Sequence, residues 1–287
     1  MPATRQFIAH EAYLRACELE LRAFKPGNVS IHSEGHDMTV EDFRISARVS
    51  APYLADPELP LGEKIFRAIE ATRGAVGCNT NLGIVLLAAP LIQAFIQPTG
   101  HASFHDAVRS VLNNTTVADA EWVYRAIRLA QPAGLGEAPE QDVASTPNVS
   151  LLDVMRLAAQ RDSVARQYSG SFADVFHNAI PMYHVGLSLW DDEEWAAVAV
   201  FVGLLARFHD SHIERKFGAA IAQEVTELMR SVEDRLTAST TTPLQRMEVL
   251  REIDREFKTR GINPGTSADL TVATVLAAQL LSRYQDV

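Results

Sequence analysis

Fourteen consecutive residues, Lys25-Pro-Gly-Asn28-Val-Ser30-Ile-His32-Ser33-Glu34-Gly35-His36-Asp37-Met38, carry two imidazoles, two carboxylates, an ammonium, an amide and two hydroxyls. Imidazoles and carboxylates move protons near neutral pH, and an ammonium meets phosphate. Gly27 and Gly35 let the backbone turn and approach a ligand closely, while Pro26 stiffens the turn. Asn28, Ser30 and Asp37 also suit capping and turn formation, the structural alternative. A loop that only joins two helices does not need the whole set.

Four further polar clusters stand at helix boundaries. Gly74-Ala-Val-Gly77-Cys-Asn79-Thr80-Asn81-Leu-Gly83 precedes a strongly apolar run, the pattern of a helix N-terminus with free N–H groups that attract phosphate or carboxylate. It is no Walker A loop, because no Gly-Lys-Ser/Thr follows, and an ordinary N-cap by Asn79 or Thr80 is the structural alternative. Asp142, Arg156 and Arg161-Asp162 form a looser group, in which Asp162 and Arg166, four apart, suit a surface pair. His209-Asp210-Ser-His212-Ile-Glu214-Arg215-Lys216-Phe-Gly218 joins carboxylates suited to Mg²⁺ with cations suited to phosphate. Asn263-Pro264-Gly265-Thr266-Ser267-Ala-Asp269-Leu combines a tight turn, a cap by Thr266 or Ser267, and an acid at a helix start that serves the helix dipole or a metal.

The elements that must position these groups all read with a helical period. Helices are expected from Phe7 to Phe24, from Thr39-Val-Glu-Asp42 (a capping-box start) through Ala51, and over Leu61–Ala75, Leu82–Phe95, Asp106–Leu112 and Ala118–Leu129. Further helices are expected near Leu151–Tyr168, Ser171–Leu189, Glu193–His209, Ile213–Leu236, Pro243–Lys258 and Ser267–Tyr284. Between them, Gln131 to Pro147 with its prolines and glycines suits an active-site loop or a domain boundary. Trp190, Trp195, His177 and His184 are read as packing residues. No alternating pattern predicts a strand, so the fold class is all-α: a compact single-domain multi-helix bundle over residues 1–287, with active-site loops at helix ends.

With 287 residues, 47% apolar and 22% charged, the chain has a globular composition. A net charge of −10 argues against nucleic-acid binding through the overall field. Cys17 and Cys78 form no disulfide framework or metal spacing, and no membrane span or signal-peptide layout is visible. The expected setting is cytoplasmic, with small-molecule partners, no nucleic acid and no membrane; a homo-oligomer is compatible with the sequence.

Taken in order, the motifs resemble the triphosphoribosyl-dephospho-CoA synthase family, whose members make the precursor of the prosthetic group of citrate lyase and malonate decarboxylase carrier proteins. The resemblance runs through Lys25-Pro-Gly27, His36-Asp37-Met38 with Phe43 and Ser46-Ala47, Gly77-Cys-Asn79-Thr80 with Gly83, Asp210-Ser-His212 with Gly218, and Asn263-Pro-Gly265-Thr-Ser267-Ala-Asp269-Leu. The family pattern places His and Lys where this chain has Asn81 and Leu82. The stretch from Gly134-Leu-Gly136 through Asp142-Val to Arg161-Asp162 and Gln167-Tyr168 resembles a divergent branch found with tetrahydromethanopterin-type C1 metabolism.

The resemblance implies a transferase that displaces adenine from ATP and passes the triphosphoribosyl group to an acceptor hydroxyl, on dephospho-CoA or a C1-carrier cofactor precursor. It implies His36 or Asp37 in proton transfer, and Mg²⁺ held by two or three of Asp37, Asp142, Asp162, Asp210 and Asp269. Lys25, His212, Arg215 and Lys216 would meet phosphate, with Gly27, Asn28, Ser33, Asn79, Thr80, Asn81, Gly83 and Ser267 also at the nucleotide. Two alternatives differ in class: a metal-dependent helical phosphohydrolase of HD type built on His209-Asp210, and a non-catalytic nucleotide-binding or cofactor-binding helical protein.

Overall fold

A computed structural model describes residues 4–33, 38–97, 100, 103–132 and 140–285. Among them the chain forms α1 (Arg5–Arg22), α2 (Val40–Leu54), α3 (Leu61–Val76), α4 (Leu82–Ile96), α5 (Phe104–Asn113), α6 (Val117–Ala130) and α7 (Leu151–Ala158). It continues with α8 (Ser163–Ser169), a π-helical turn over Asp174–Ala179, α9 (Ile180–Trp190), α10 (Glu193–Leu205), α11 (Ser211–Phe217), α12 (Ala219–Thr237), α13 (Pro243–Arg260) and α14 (Gly265–Leu281). No strand occurs among the described residues.

The sequence dictates the centre. α4, Leu-Gly-Ile-Val-Leu-Leu-Ala-Ala-Pro-Leu-Ile-Gln-Ala-Phe-Ile, is apolar on every side and buried on nearly every side, as a helix without a polar face must be. α14 is buried all round too. Its Thr271 and Thr274 satisfy their hydroxyls internally, donating to the Ser267 and Leu270 carbonyls at 2.8 and 2.7 Å. α1 packs on both, α10 covers α14, and α2, α3 and α6 wrap the other flank. The result is one compact all-α domain.

The capping box at Thr39 forms as expected, with Asp42 accepting from the Thr39 N–H at 2.8 Å. Three long helices anticipated from periodicity are instead broken. Leu151–Tyr168 splits into α7 and α8, because Asp162 accepts from the Ala165 N–H and starts a new helix. Ile213–Leu236 splits at Gly218, whose φ of 86° takes it out of the helix. Ser171 and Phe172, at φ of 53° and 61°, delay the helix anticipated from Ser171 until the π turn. Each break turns side chains that a continuous helix would have spread around its circumference.

The last helix also departs from expectation. Neither Thr266 nor Ser267 caps α14; Pro264 occupies the cap position without a side-chain bond. Asp210 reaches across from the start of α11 instead, accepting from the Ser267 N–H at 2.7 Å and its hydroxyl at 2.8 Å.

Candidate active site

A cavity of about 330 Å³ opens where the ends of α4, α8, α11 and α14 meet the flank of α1. It draws on all five polar clusters. Asn28, Asn79, Thr80, Gly83, His212 and Arg215 line it, and so do Asp142, Asp162 and Asp269. The stretch before α7 contributes Gln141, Asp142 and Val143 to its wall, which favours the active-site-loop reading of Gln131–Pro147 over a domain boundary. Ala133–Pro139 of that stretch, including Gly134 and Gly136, lie outside the described residues.

Two helix starts face the cavity. At α4, Asn79 Oδ1 accepts from the Leu82 N–H at 3.2 Å, while the N–H groups of Gly83 and Ile84 meet no acceptor among the described residues. This is the positive end of an apolar fifteen-residue helix, ready for an anion. Thr80 is fixed by a 2.6 Å bond to Ser46 of α2, whose hydroxyl lies 2.6 Å from the Asp42 carbonyl. At α14, Asp269 stands against Gly83: a Cβ on that glycine would lie 2.0 Å from Asp269 Oδ2.

Asp269 is the group in the least comfortable state. Its carboxylate accepts no hydrogen bond from a described residue. Burial first, then the negative charges of Glu20, Asp210 and Asp162, hold its carboxyl well above the usual carboxylate range, with Arg215 opposing. Arg215 in turn donates to Asp162 Oδ2 at 2.7 Å. Arg161, exposed on the same wall, has no side-chain partner among the described residues.

Several anticipated ligands are engaged elsewhere. Lys25 is fully buried and points inward, its Nζ donating to the carbonyls of Glu20, Ala23 and Val29 at 2.6, 3.3 and 3.1 Å and pairing with Glu20 Oε1 at 3.1 Å. Gly27 and Ser33 are tied to Asp254 of α13, through the Gly27 N–H at 2.9 Å and the Ser33 hydroxyl at 2.6 Å. Lys25, Gly27 and Ser33 therefore brace the loop rather than line the cavity. Gly27 has no room for a side chain: its φ is 78°, and a Cβ would fall 2.7 Å from the Ile262 carbonyl.

Asp210 is only 3% exposed and accepts four bonds, from the N–H groups of His212 and Ile213 at 2.9 and 3.1 Å and from Ser267 twice. That saturates the carboxylate as a helix clamp and leaves no oxygen aimed at a metal in the cavity. Ser267 is consumed with it. Lys216 is exposed and donates to the Gly261 carbonyl at 3.2 Å. Asn81 lines a neighbouring void of about 10 Å³ with Glu20 and Tyr13, and its buried Oδ1 has no partner among the described residues. His36 and Asp37 lie outside the described residues.

Sequence reasoning missed Glu20, and it named Asn263 and Arg161 in their clusters without assigning them to the site. Glu20 is 4% exposed and lines the cavity. Its signal was positional: with Tyr13, Ala16 and Cys17 it falls on the buried stripe of α1. Asn263 accepts from the Asn28 amide at 2.8 Å and joins the first and last motifs at the cavity wall.

Among the described residues, no group of three or more His, Cys, Asp or Glu side chains stands together as a metal cage. His209 is exposed while its neighbour Asp210 turns inward, so the adjacent pair required for an HD-type centre diverges. The arrangement is instead an acid-rich cavity with two helix N-termini and two guanidinium groups, suited to a phosphorylated sugar.

No helix among the described residues is long and apolar enough to cross a membrane. No curated protein matches the chain. A crystal structure of a provisionally assigned triphosphoribosyl-dephospho-CoA synthase from Archaeoglobus fulgidus shares the fold at a TM-score of 0.62 and 24% identity, over 83% of this chain and 98% of that one. The sequence from residue 7 to residue 286 matches the ATP:dephospho-CoA triphosphoribosyl transferase family, and with nearly the whole chain covered, the protein belongs to that family of transferases.

Proposed function

We propose that the protein displaces adenine from ATP and transfers the triphosphoribosyl group to a hydroxyl of a cofactor precursor, dephospho-CoA or a C1-carrier precursor. The observation that carries this reading is the convergence of five sequence-distant motifs on one cavity. In the reaction the acceptor oxygen bonds to ribose C1′ as the bond from C1′ to adenine N9 breaks. The hydroxyl proton passes to a protein base, and an equivalent proton, delivered by that base or by water, reaches the adenine ring, so that adenine leaves neutral.

The residues divide that work. The N–H groups of Gly83 and Ile84, with Arg161 and Arg215, hold the triphosphate. Asn28, Asn79 and Asn263 orient the sugar through their amides. Positive charge developing at C1′ is met by the acid wall of Glu20, Asp162 and Asp269, as in glycoside cleavage. His36 and Asp37 are the candidates for the proton-accepting base; Asn28 and Met38, on either side of the segment that carries them, both line the cavity.

Mg²⁺ fits the donors on the test that Asp269 provides. A carboxylate that no described residue bonds, crowded by like charges, is relieved by a proton or by a cation. Mg²⁺ commonly takes one or two protein carboxylates and completes its shell with phosphate and water, so no protein cage is needed. Asp269 would hold it, with Asp142 or Asp162, and the ion would neutralise triphosphate charge.

The experiment is product analysis after incubation with ATP, Mg²⁺ and a panel of acceptors. The reading expects free adenine and an acceptor heavier by a triphosphoribosyl unit in mass spectrometry. Release of phosphate without adenine would instead support a phosphohydrolase, and tight ATP binding without turnover a binding protein.

A further inference from the structure

Among the described candidate metal ligands, only Asp142 stands outside a helix and its caps. Residues 141–149 form neither helix nor strand. The backbone around Asp142 is nonetheless tied at every step. The Gln141 carbonyl accepts from the Tyr124 hydroxyl, the Asp142 carbonyl from the Ser145 N–H at 2.9 Å, and the Val143 carbonyl from Arg128 Nη1 at 2.5 Å. Asp142 Oδ1 adds another tie, accepting from the Ala144 N–H at 2.8 Å. From the far side the Gln141 side chain closes on Asn148, donating to its Oδ1 at 2.7 Å and accepting from its N–H at 3.2 Å. Gln141 itself sits at a φ of 49°, a strained conformation that persists where the surroundings over-determine it.

Two of these ties come from outside the loop. Tyr124 and Arg128 are four apart on α6, so successive turns present both to the same side of that helix. They grip the carbonyls immediately before and after Asp142. Burial, and then the negative charge of Asp142, raise the Tyr124 hydroxyl above its ordinary value, with Arg128 opposing. The hydroxyl therefore stays protonated and remains a donor at neutral pH. A carboxylate on a free loop would have to be ordered at the moment it met a cation. With the flanking carbonyls fixed, that entropy is lost on folding instead.

We propose that Tyr124 and Arg128 are positioning residues that hold Asp142 in the cavity wall, and that Asp142, rather than Asp162, joins Asp269 at the Mg²⁺ of the triphosphate. Asp162 already spends Oδ1 on capping α8 and Oδ2 on Arg215. The inference rests on the transferase reading above and names the carboxylate which that reading left open.

The test measures ATP affinity calorimetrically in saturating Mg²⁺ and again in excess EDTA; the ratio is the gain that the ion provides. It compares the wild-type protein with Tyr124→Phe, Arg128→Met and Asp142→Asn, and with each of the first two combined with Asp142→Asn. Phenylalanine keeps the buried ring and methionine keeps the stem, so melting temperatures should fall by a few degrees at most. Arg128 is exposed and, among the described residues, is not part of the cavity lining, so its removal reaches the site only through the loop.

Each single α6 substitution is expected to cut the Mg²⁺ gain by about tenfold, the scale of a lost partner behind a metal ligand. In the Asp142→Asn protein the same substitutions should cost less than about twofold, because the group they position is gone. Affinity for ATP in EDTA should stay within about twofold throughout. Arg128→Lys, which keeps a donor, should recover most of the gain. Equal cuts in both backgrounds would overturn the proposal, as would no cut in either. So would a wild-type protein that gains nothing from Mg²⁺, an undiminished gain in Asp142→Asn, or an equal loss of ATP affinity in EDTA, which would make Tyr124 a direct nucleotide contact. Adenine release, followed in parallel, separates the two readings. The expected pattern of Mg²⁺ gains, without adenine release under any acceptor, would refute the transfer and leave the positioning standing.

Discussion

Gly83 at the start of α4 and Asp269 at the start of α14 touch so closely that a Cβ on the glycine would lie 2.0 Å from the aspartate's Oδ2. The missing side chain lets two helix N-termini share one carboxylate. Gly83→Ala is therefore expected to rotate Asp269 out of its position while the rest of α4, already buried and well packed, stays folded. Turnover should fall by about a hundredfold, the scale of a misplaced reacting group. The melting temperature should move by no more than a few degrees. Full activity in Gly83→Ala would show that the location of Asp269 is immaterial.

Asp269 itself should trade stability for function. Its carboxyl is held above the ordinary 3.8 by burial and then by the charge of Glu20. A raised carboxyl contributes stability that is complete below the unfolded value and is lost as pH rises through the folded one. Asp269→Asn removes that loss. The variant should be inactive yet melt higher than the wild-type protein near neutral pH, with the difference shrinking as pH falls and gone only below about pH 3, under the unfolded-state value. Thermal melts across that range check it; a difference independent of pH would assign the effect to something other than ionisation. Saturating Mg²⁺ and ATP should narrow the gap by stabilising only the wild-type site.

How much of this was legible from residues alone depends on distance along the chain. Local signals were reliable: the Thr39 box, the apolar run of α4 and the Gly-Asn-Thr helix start all follow from short-range spacing. Directions were not. Lys25 and Asp210 are the chemistries expected at a phosphate or metal site, yet each points into protein, because partners at Val29 and Ser267 satisfy it there. Nothing local announces such a bond between residues 210 and 267. The same limit hid the breaks at Asp162 and Gly218, since a 3.6-residue period continues through an interruption too short to disturb it.

The buried pair Lys25–Glu20 separates bracing from substrate binding. Burial pushes Lys25 down and Glu20 up, and the pairing at 3.1 Å, with three carbonyls around Nζ, opposes that push. Lys25→Met leaves Glu20 buried and uncompensated, and should cost about 3–5 kcal/mol in denaturant unfolding. Lys25→Met with Glu20→Leu should recover much of that stability, because both charges are then removed together. A phosphate clamp would behave differently: Lys25→Met would raise the KM for ATP with little change in stability.

The guanidinium groups supply the matching test at the substrate. Arg161 has no side-chain partner among the described residues, so Arg161→Ala should leave the melting temperature unchanged within about a degree, as for an exposed substitution. Arg215 is tied to Asp162 at 2.7 Å, and Arg215→Ala frees a carboxylate as well as removing a cation. If both hold the triphosphate, each substitution should raise the KM for ATP by about tenfold, and AMP, which lacks two of the phosphates, should be discriminated less in the variants than in the wild-type protein. The double variant should exceed the product of the single effects only if the two cations grip the same phosphate. Unchanged ATP affinity in Arg161→Ala, measured by titration, would move the triphosphate away from Arg161 and leave the α4 N-terminus and Arg215 as its anchors.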